Sequence, residues 1–253
     1  MKNKERIEEI AELLDKKGKL TLEQLHDCFP GVSQMTLRRD LFHLEQEGKI
    51  IRVRGGAMSV KEVQKVSGDP YVKKTIQNTD KKIEIAQKAS ELIEEGTTIF
   101  MDGGTTAMYL AKEMPDININ VLTNGVAVAM ELARKKNVNI TVIGGQLIKE
   151  NLSTSSPVAK AYFDNTNFEF AIMSASAFTL ENGFSCNSQI EATLLKQVHE
   201  KAKHVYMMLD SSKIGKIMPY TFARLEDIEV LITDEFFPKE LMESFHKYNI
   251  VVM

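Results

Sequence analysis

Apolar residues recur at helical spacing from the start of the chain. Between Arg6 and Lys17 they stand at Ile7, Ile10, Ala11, Leu13 and Leu14, with Glu8, Glu9 and Glu12 on the other face. That spacing predicts an amphipathic helix, ended by Gly18. Thr21 with Gln24 three residues on reads as a capping box. It predicts a second helix from Leu22 to Cys28, burying Leu22, Leu25 and Cys28. Phe29-Pro30-Gly31 breaks that helix. Ser33 caps a third, whose apolar face is Met35, Leu37, Leu41 and Leu44. Gln34, Thr36, Arg38 and Arg39 occupy the remaining surface of its first turns, and Gly48 closes it. Lys49 to Arg54 alternates as a strand does, and Gly55-Gly56 signals a hairpin turn.

Three short helices followed by a strand and a hairpin form the pattern of a winged helix-turn-helix. In that geometry the third helix enters the major groove with its N-terminal residues at the base edges. Ser33, Gln34, Thr36 and Arg38 hold those positions, and Arg39 lies beside them within reach of phosphate. Arg52 and Arg54 share one side of the wing strand, because strand side chains repeat every two residues. The expected partner of this head, residues 1–57, is double-stranded DNA. A helical interaction module with solvated arginines is the plainer alternative.

Residues 58–79 are polar and read as a linker with a helical portion. From Asp80 the run KKIEIAQKASELI places Ile83, Ala86, Ala89, Leu92 and Ile93 on one helical face, and Gly96 stops it. Short apolar runs then alternate with helical stretches. TTIFMD leads into GGTTAMYLAKEM and NINVLTN into GVAVAMELARKK, followed by NITVIGG, FEFAIMSAS, HVYMMLD, VLITD and IVVM. The alternation predicts an α/β domain over residues 80–253 with a mostly parallel sheet.

Ligands of such sheets bind beyond the carboxyl ends of the strands. Small and polar residues stand there: Asp102, Gly103, Gly104, Thr105 and Thr106; Thr123 and Asn124; Gly144 and Gly145; Asp210 and Lys213. The DGGTT stretch lets backbone approach a ligand, offers two hydroxyls and opens a helix with unpaired N–H groups. These are the parts of an anion cradle, although a tight strand-to-helix turn also demands glycine. Lys213, with Lys149 as a second, supplies the cation a phosphate favours.

Composition adjusts the picture. The chain is 43% hydrophobic and 26% charged, as globular domains are. No apolar run approaches membrane length. The charged N-terminus MKNKERIEEIAELL is unlike a signal peptide, so a cytoplasmic location is expected. A net charge of −3 is unusual for a DNA binder. Yet residues 1–60 hold 11 basic and 10 acidic groups, and the remainder 21 and 25. The acidic excess therefore lies outside the head. Cys28 and Cys186 are far apart and read as buried free thiols. Met101, Met108, Met207 and Met208 read as core filler.

The run VSQMTLRRDLFHLEQEGKIIRVRGGA resembles the head of the DeoR family of bacterial regulators, with RRDL, LEQEGKI and RGGA specific in combination. It departs at Arg54, where the family has His, and in the turn FPGVS, which is one residue longer. FMDGGTTAMYLA, VLTNGVAVAMEL, VIGGQL and IEATLLKQVHEKAKHVYMMLDSSKIGK, over roughly residues 75–250, resemble its sensor half. That half is similar in fold to ribose-5-phosphate isomerase and glucosamine-6-phosphate deaminase. The resemblance implies a repressor of a sugar-metabolism operon, a homodimer or homotetramer, released from operator DNA by a phosphorylated sugar. It implies no cofactor, metal or catalytic residue. Departures fall at Lys149, near the place of a usual Arg, and at Ser156, Ser174 and Ala177, where glycines are usual.

Two other functions compete. An isomerase-like or deaminase-like enzyme would draw on Asp102, Glu191, Lys213 and His204 as acids and bases. A ligand-independent DNA-binding protein would fit the larger side chains of SASAF. His199 and His204 stand five apart, not at the HxxxH spacing of a metal site.

Overall fold

A computed structural model describes residues 3–47, 49–53, 55–60, 70–156, 163 and 166–253. The chain divides into two compact units, Met1–Asp80 and Lys81–Met253.

The first unit opens with helix α1 (Asn3–Lys17), strand β1 (Lys19–Thr21) and helices α2 (Leu22–Cys28) and α3 (Gln34–Gln46). Strands β2 (Ile50–Val53) and β3 (Gly56–Ser59) and helix α4 (Pro70–Ile76) follow. Thr21 and Gln24 cap α2 reciprocally, Gln24 N–H donating to Thr21 Oγ1 at 3.2 Å and Thr21 N–H to Gln24 Oε1 at 2.8 Å. Ile10, Leu14, Leu25, Leu37 and Leu44 form the centre of the core. β2 and β3 make the expected antiparallel hairpin. β1 pairs with the other side of β3, giving the order β1-β3-β2. Gly56 allows that approach, since a Cβ there would sit 2.1 Å from Leu20 O.

Two inward assignments are corrected. Met35 is 71% exposed. It lies two residues before Leu37, roughly 200° away around the helix at 3.6 residues per turn, so Leu37, Leu41 and Leu44 form the buried face without it. Cys28 is exposed as well, because Phe29 takes the inward place at the end of α2, whereas Cys186 is buried as expected. A part-buried ion pair joins α1 to α3, its Asp40 end buried. Arg6 Nε donates to Asp40 Oδ2 at 2.7 Å and Nη2 to Oδ1 at 3.1 Å.

Helix α5 (Thr79–Ser90) carries the chain from the first unit into the second. Then come β4 (Thr98–Met101), α6 (Thr105–Glu113), β5 (Ile119–Thr123), α7 (Val126–Leu132), β6 (Val138–Val142), β7 (Gln146–Ile148) and β8 (Ser153–Ser155). The rest is β9 (Phe168–Ser174), β10 (Ala177–Thr179), β11 (Gly183–Cys186), α8 (Gln189–Lys201), β12 (Ala202–Met208), β13 (Tyr220–Ala223), β14 (Val230–Ile232), α9 (Lys239–Lys247) and β15 (Val251–Val252).

Seven strands in the order β15-β14-β12-β9-β4-β5-β6 form one sheet, every neighbouring pair parallel. Alternate residues feed opposite faces. Phe100, Ala171 and Met173 pack with α8 and α9, while Ile99, Met101 and Ile172 pack with α5, α6 and α7. Helices on both faces explain why the strands read as continuous apolar runs. Two antiparallel additions were not expected: the sheet β10-β11-β13 and the hairpin β7-β8. The four methionines read as core filler are all buried.

The strand order reverses between β4 and β9. From β4 the chain proceeds to β5 and β6 on one side, and to β9, β12, β14 and β15 on the other. The crevice at such a switch point is where parallel sheets bind ligands.

Candidate DNA-reading face and effector site

Ser33, Gln34, Arg38 and Arg39 are exposed at the start of α3, and Thr36 is half-buried. Ser33 Oγ accepts from Thr36 N–H at 3.2 Å and lies 3.0 Å from Thr36 Oγ1. The Ser33 hydroxyl caps the helix and the Thr36 hydroxyl is engaged with it, so Gln34, Arg38 and Arg39 supply the outward polar groups. Arg52 is anchored rather than free. Its Nε donates to Glu45 Oε2 at 2.6 Å, its backbone N–H donates to Glu45 Oε1 at 3.1 Å, and its guanidinium sits 5.2 Å from the centre of the Phe42 ring. Arg38 and Arg52 both line a hollow of about 250 Å³ between α3 and the wing. Arg54 lies outside the described residues.

In the second unit Asp102 follows β4 directly and bridges the switch point. Its Oδ1 accepts Gly103 N–H at 2.7 Å, and its Oδ2 accepts Ser174 N–H at 3.2 Å and Ser174 Oγ at 3.0 Å. Burial pushes this carboxyl up to about 7; the Glu191 charge adds to the rise, and the Ser174 and Gly103 donors oppose it. Glu191, in the first turn of α8, accepts from Asn151 Nδ2 at 2.6 Å. Burial and Glu191 also push the Cys186 thiol up to about 12, so it is an inert thiol.

A carboxyl raised in the folded state stabilises the fold while protonated, and that contribution is lost as pH climbs from the unfolded value through the folded one. Asp102→Asn is therefore expected to gain in melting temperature relative to the parent between about pH 4 and about pH 7 and to hold the gain above. A difference that stays constant with pH would show that Asp102 does not titrate in this window.

Glycines bring the neighbouring turns into contact. A Cβ on Gly103 would lie 2.7 Å from Ser153 Cβ, and one on Gly125 would lie 2.8 Å from Gly103 Cα. Gly104, at φ +99°, stands at the start of α6 with no side-chain cap, and Thr105 and Thr106 follow it half-buried. Thr123 Oγ1 accepts Gly125 N–H at 2.9 Å. Asn124 is fully buried. Among the described residues neither its amide nitrogen nor its amide oxygen has a hydrogen-bond partner.

At the end of β12, beside β9, Asp210 caps the turn Ser211–Lys213 by accepting Ser212 N–H at 3.1 Å, and leaves Lys213 half-buried. Ser211 is held from behind. Its N–H and Oγ donate to Asp234 at 2.6 and 2.8 Å, and Lys81 Nζ donates to Ser211 Oγ at 2.5 Å and lies 3.5 Å from Asp234 Oδ1. Burial pushes the Asp234 carboxyl up, but these donors, Phe236 N–H and the Lys81 ammonium outweigh it and hold the pKa below its usual value.

The structure thus gathers Asp102, Gly103, Gly104, Thr123 and Asn124 at adjacent strand ends. Lys149 is exposed after β7, where with Gln146, Ser155, Ser188 and Ile190 it lines a hollow of about 370 Å³. Gly144 and Gly145 lie in the loop before β7, and a Cβ on Gly145 would meet Ser155 O at 2.3 Å. Ser174, Asn151 and Glu191 surround Asp102 through hydrogen bonds and charge, and the sequence did not assign them to binding. Ser174 stood out only as a departure from glycine, and Asn151 gave no signal. The four acids and bases of the enzyme alternative are not assembled. His204 lies near the start of β12, its Nδ1 2.8 Å from Glu229 and its ring stacked on Phe170. Among the described residues no group of three or more His, Cys, Asp or Glu could hold a metal, and no helix is long and apolar enough to cross a membrane.

A winged helix-turn-helix joined to a parallel α/β unit with a glycine-lined crevice defines a two-part DNA-binding regulator. The family model described as DeoR-like helix-turn-helix domain matches residues 6–63, and that described as DeoR C terminal sensor domain matches residues 77–235. The chain belongs to the DeoR family of transcriptional regulators, and it is a regulator, not an enzyme. It is 32% identical over 246 residues to the HTH-type transcriptional regulator IolR of Bacillus subtilis, covering 97% of this chain and 96% of that one. Over 236 residues it is 33% identical to the lactose phosphotransferase system repressor of Streptococcus mutans, covering 92% and 93%. Over 251 residues it is 30% identical to the putative aga operon transcriptional repressor of Escherichia coli O157:H7, covering 98% and 93%. Among solved structures it aligns with ribose 5-phosphate isomerase A of Methanocaldococcus jannaschii at 16% identity and a TM-score of 0.41 over 55% of each chain.

Proposed function

We propose that this regulator represses a sugar-metabolism operon and leaves its operator when a phosphorylated sugar occupies the switch-point crevice. The observation that carries the reading is Asn124. Buried polar groups are almost always hydrogen-bonded, and an exception calls for an explanation such as a binding role. Its amide can serve a sugar hydroxyl both as donor and as acceptor. The uncapped start of α6 at Gly104 suits a phosphate, whose charge the helix dipole favours. Lys213 adds a cation, and Asp102 an acceptor for a second hydroxyl. The relatives named for the lactose phosphotransferase system and the aga operon support a carbohydrate role.

Operator binding belongs to the head in this reading. A two-fold oligomer would require half-sites about 34–36 Å apart or a multiple of that. Arg38→Ala is expected to cost about 1–3 kcal/mol of operator affinity, concentrated at one base pair. Measured against a panel of single-base operator variants, an equal loss on every duplex would make Arg38 a phosphate contact.

The crevice is tested by thermal shift of the full chain with ribose 5-phosphate, glucose 6-phosphate and fructose 1-phosphate. A ligand at about 100 times its dissociation constant stabilises by roughly 2.7 kcal/mol. Lys213→Ala is expected to keep operator affinity and to lose release by the sugar phosphate that shifts the parent. An unaltered release curve would remove Lys213 from the site, and no shift with any sugar phosphate would sink the effector reading.

A further inference from the structure

The outward side of α3 is a stripe of Met35, Arg38, Arg39 and Phe42, spaced i, i+3, i+4 and i+7 and opposed to Leu37, Leu41 and Leu44. Two of its four members are large and apolar. Phe42, 49% exposed, has a role within the fold, because its ring supports the Arg52 guanidinium. Met35 has none of that kind. It lies outside the head core and, at 71%, is the most exposed large hydrophobic side chain among the described residues. It is the second residue of the helix after the Ser33 cap, in the turn that faces base edges when such a helix enters the major groove. Gln34, Arg38 and Arg39 surround it with groups that anchor to DNA by hydrogen bonds and charge.

The major-groove edges of the four bases present hydrogen-bond donors and acceptors and one apolar feature, the C5-methyl of thymine. We infer that Met35 is a specificity-determining residue that reads a thymine in each operator half-site by packing its thioether chain on that methyl group. An unbranched, polarisable side chain with three rotatable bonds can reach along the groove and settle against a methyl whose position is set by the polar anchors. Arg38 and Arg39 then fix where the helix sits, and Met35 discriminates T·A from the other pairs at one position.

The test uses the full chain and a duplex selected for binding from random sequence. Each thymine is replaced in turn by deoxyuridine, which keeps every hydrogen-bonding group and lacks only the methyl. Affinity is read by fluorescence anisotropy. Burying one methyl-sized group predicts a loss of about fourfold at a single thymine per half-site. Met35→Ala is expected to bind the thymine duplex more weakly by a similar factor and to show no further loss on the deoxyuridine duplex. Selection repeated with Met35→Gln is expected to change the preferred base at that position and nowhere else. The inference is overturned if no thymine is sensitive, if Met35→Ala keeps the same sensitivity, or if the Met35→Gln consensus still demands thymine there. Met35 sits outside both the cap and the core, so these variants keep the fold that positions the helix.

Discussion

Replacing Asp40 with alanine is expected to destabilise the head by about 1–3 kcal/mol, the cost of leaving hydrogen-bonding groups unmet at a part-buried contact, and to weaken operator binding with it. Asp40 is 3% exposed and accepts two parallel N–H bonds from Arg6, whose side chain is 13% exposed. The truncation removes the carboxylate that accepts both of these N–H bonds. Within the RRDL run, Arg38 and Arg39 point outward while Asp40 and Leu41 point inward, so one short motif both presents the outward arginines proposed to meet DNA and fastens α3 to α1. The chain has no tryptophan. Hydrogen exchange at the amides of α1 and α3, compared with those of the second unit, is therefore the measurement of choice. The double variant Arg6→Met with Asp40→Leu is expected to recover much of the lost stability, because buried ion pairs are often no better than apolar packing. A loss below about 1 kcal/mol for Asp40→Ala would place the pair among ordinary surface salt bridges.

The second large effect runs the other way. Asn124→Leu is expected to raise the melting temperature of the ligand-free protein while removing its response to a sugar phosphate. Each unsatisfied buried polar atom costs about 1–3 kcal/mol, and Asn124 contributes two. A leucine of similar shape relieves both and contributes apolar contact. Binding sites hold strain or unmet polarity that a purely structural residue would not retain. A lower melting temperature for Asn124→Leu without ligand would mean that the amide already has partners and that the crevice needs another explanation.

The helices were legible because their periodicity runs long enough to stand out, and the parallel strands because strands buried on both faces read as continuous apolar runs even where only two to four residues pair. The turn at Gly103 and Gly104 was legible as a glycine turn, because close approach to Ser153 demands glycine at Gly103 and a φ of +99° favours it at Gly104. Strands β1, β10, β11 and β13 were not, since three or four residues hold too little alternation to register. Met35 was misplaced by two positions of helical phase. The polar contacts that shape both sites join residues remote in sequence: Arg6 to Asp40 across 34 positions, Asn151 to Glu191 across 40, and Ser174 to Asp102 across 72. Spacing reports what lies on one element, and these partners lie on different ones. Arg52 shows the same limit at short range, because strand alternation placed it on the wing but could not show that Glu45 and Phe42 already hold it.

Helix α5 is keyed to the second unit at two points. Lys81 reaches Ser211 and Asp234 at the ends of β12 and β14, and Lys88 Nζ donates to Thr233 O at 2.8 Å. These lysines stand seven residues apart, which is about two helical turns, so both keys engage the same side of the helix. In mechanical terms α5 is a shaft with two splines: it cannot roll about its axis without shearing one of them. Any change in the spacing of those strand ends is delivered to the shaft as a whole.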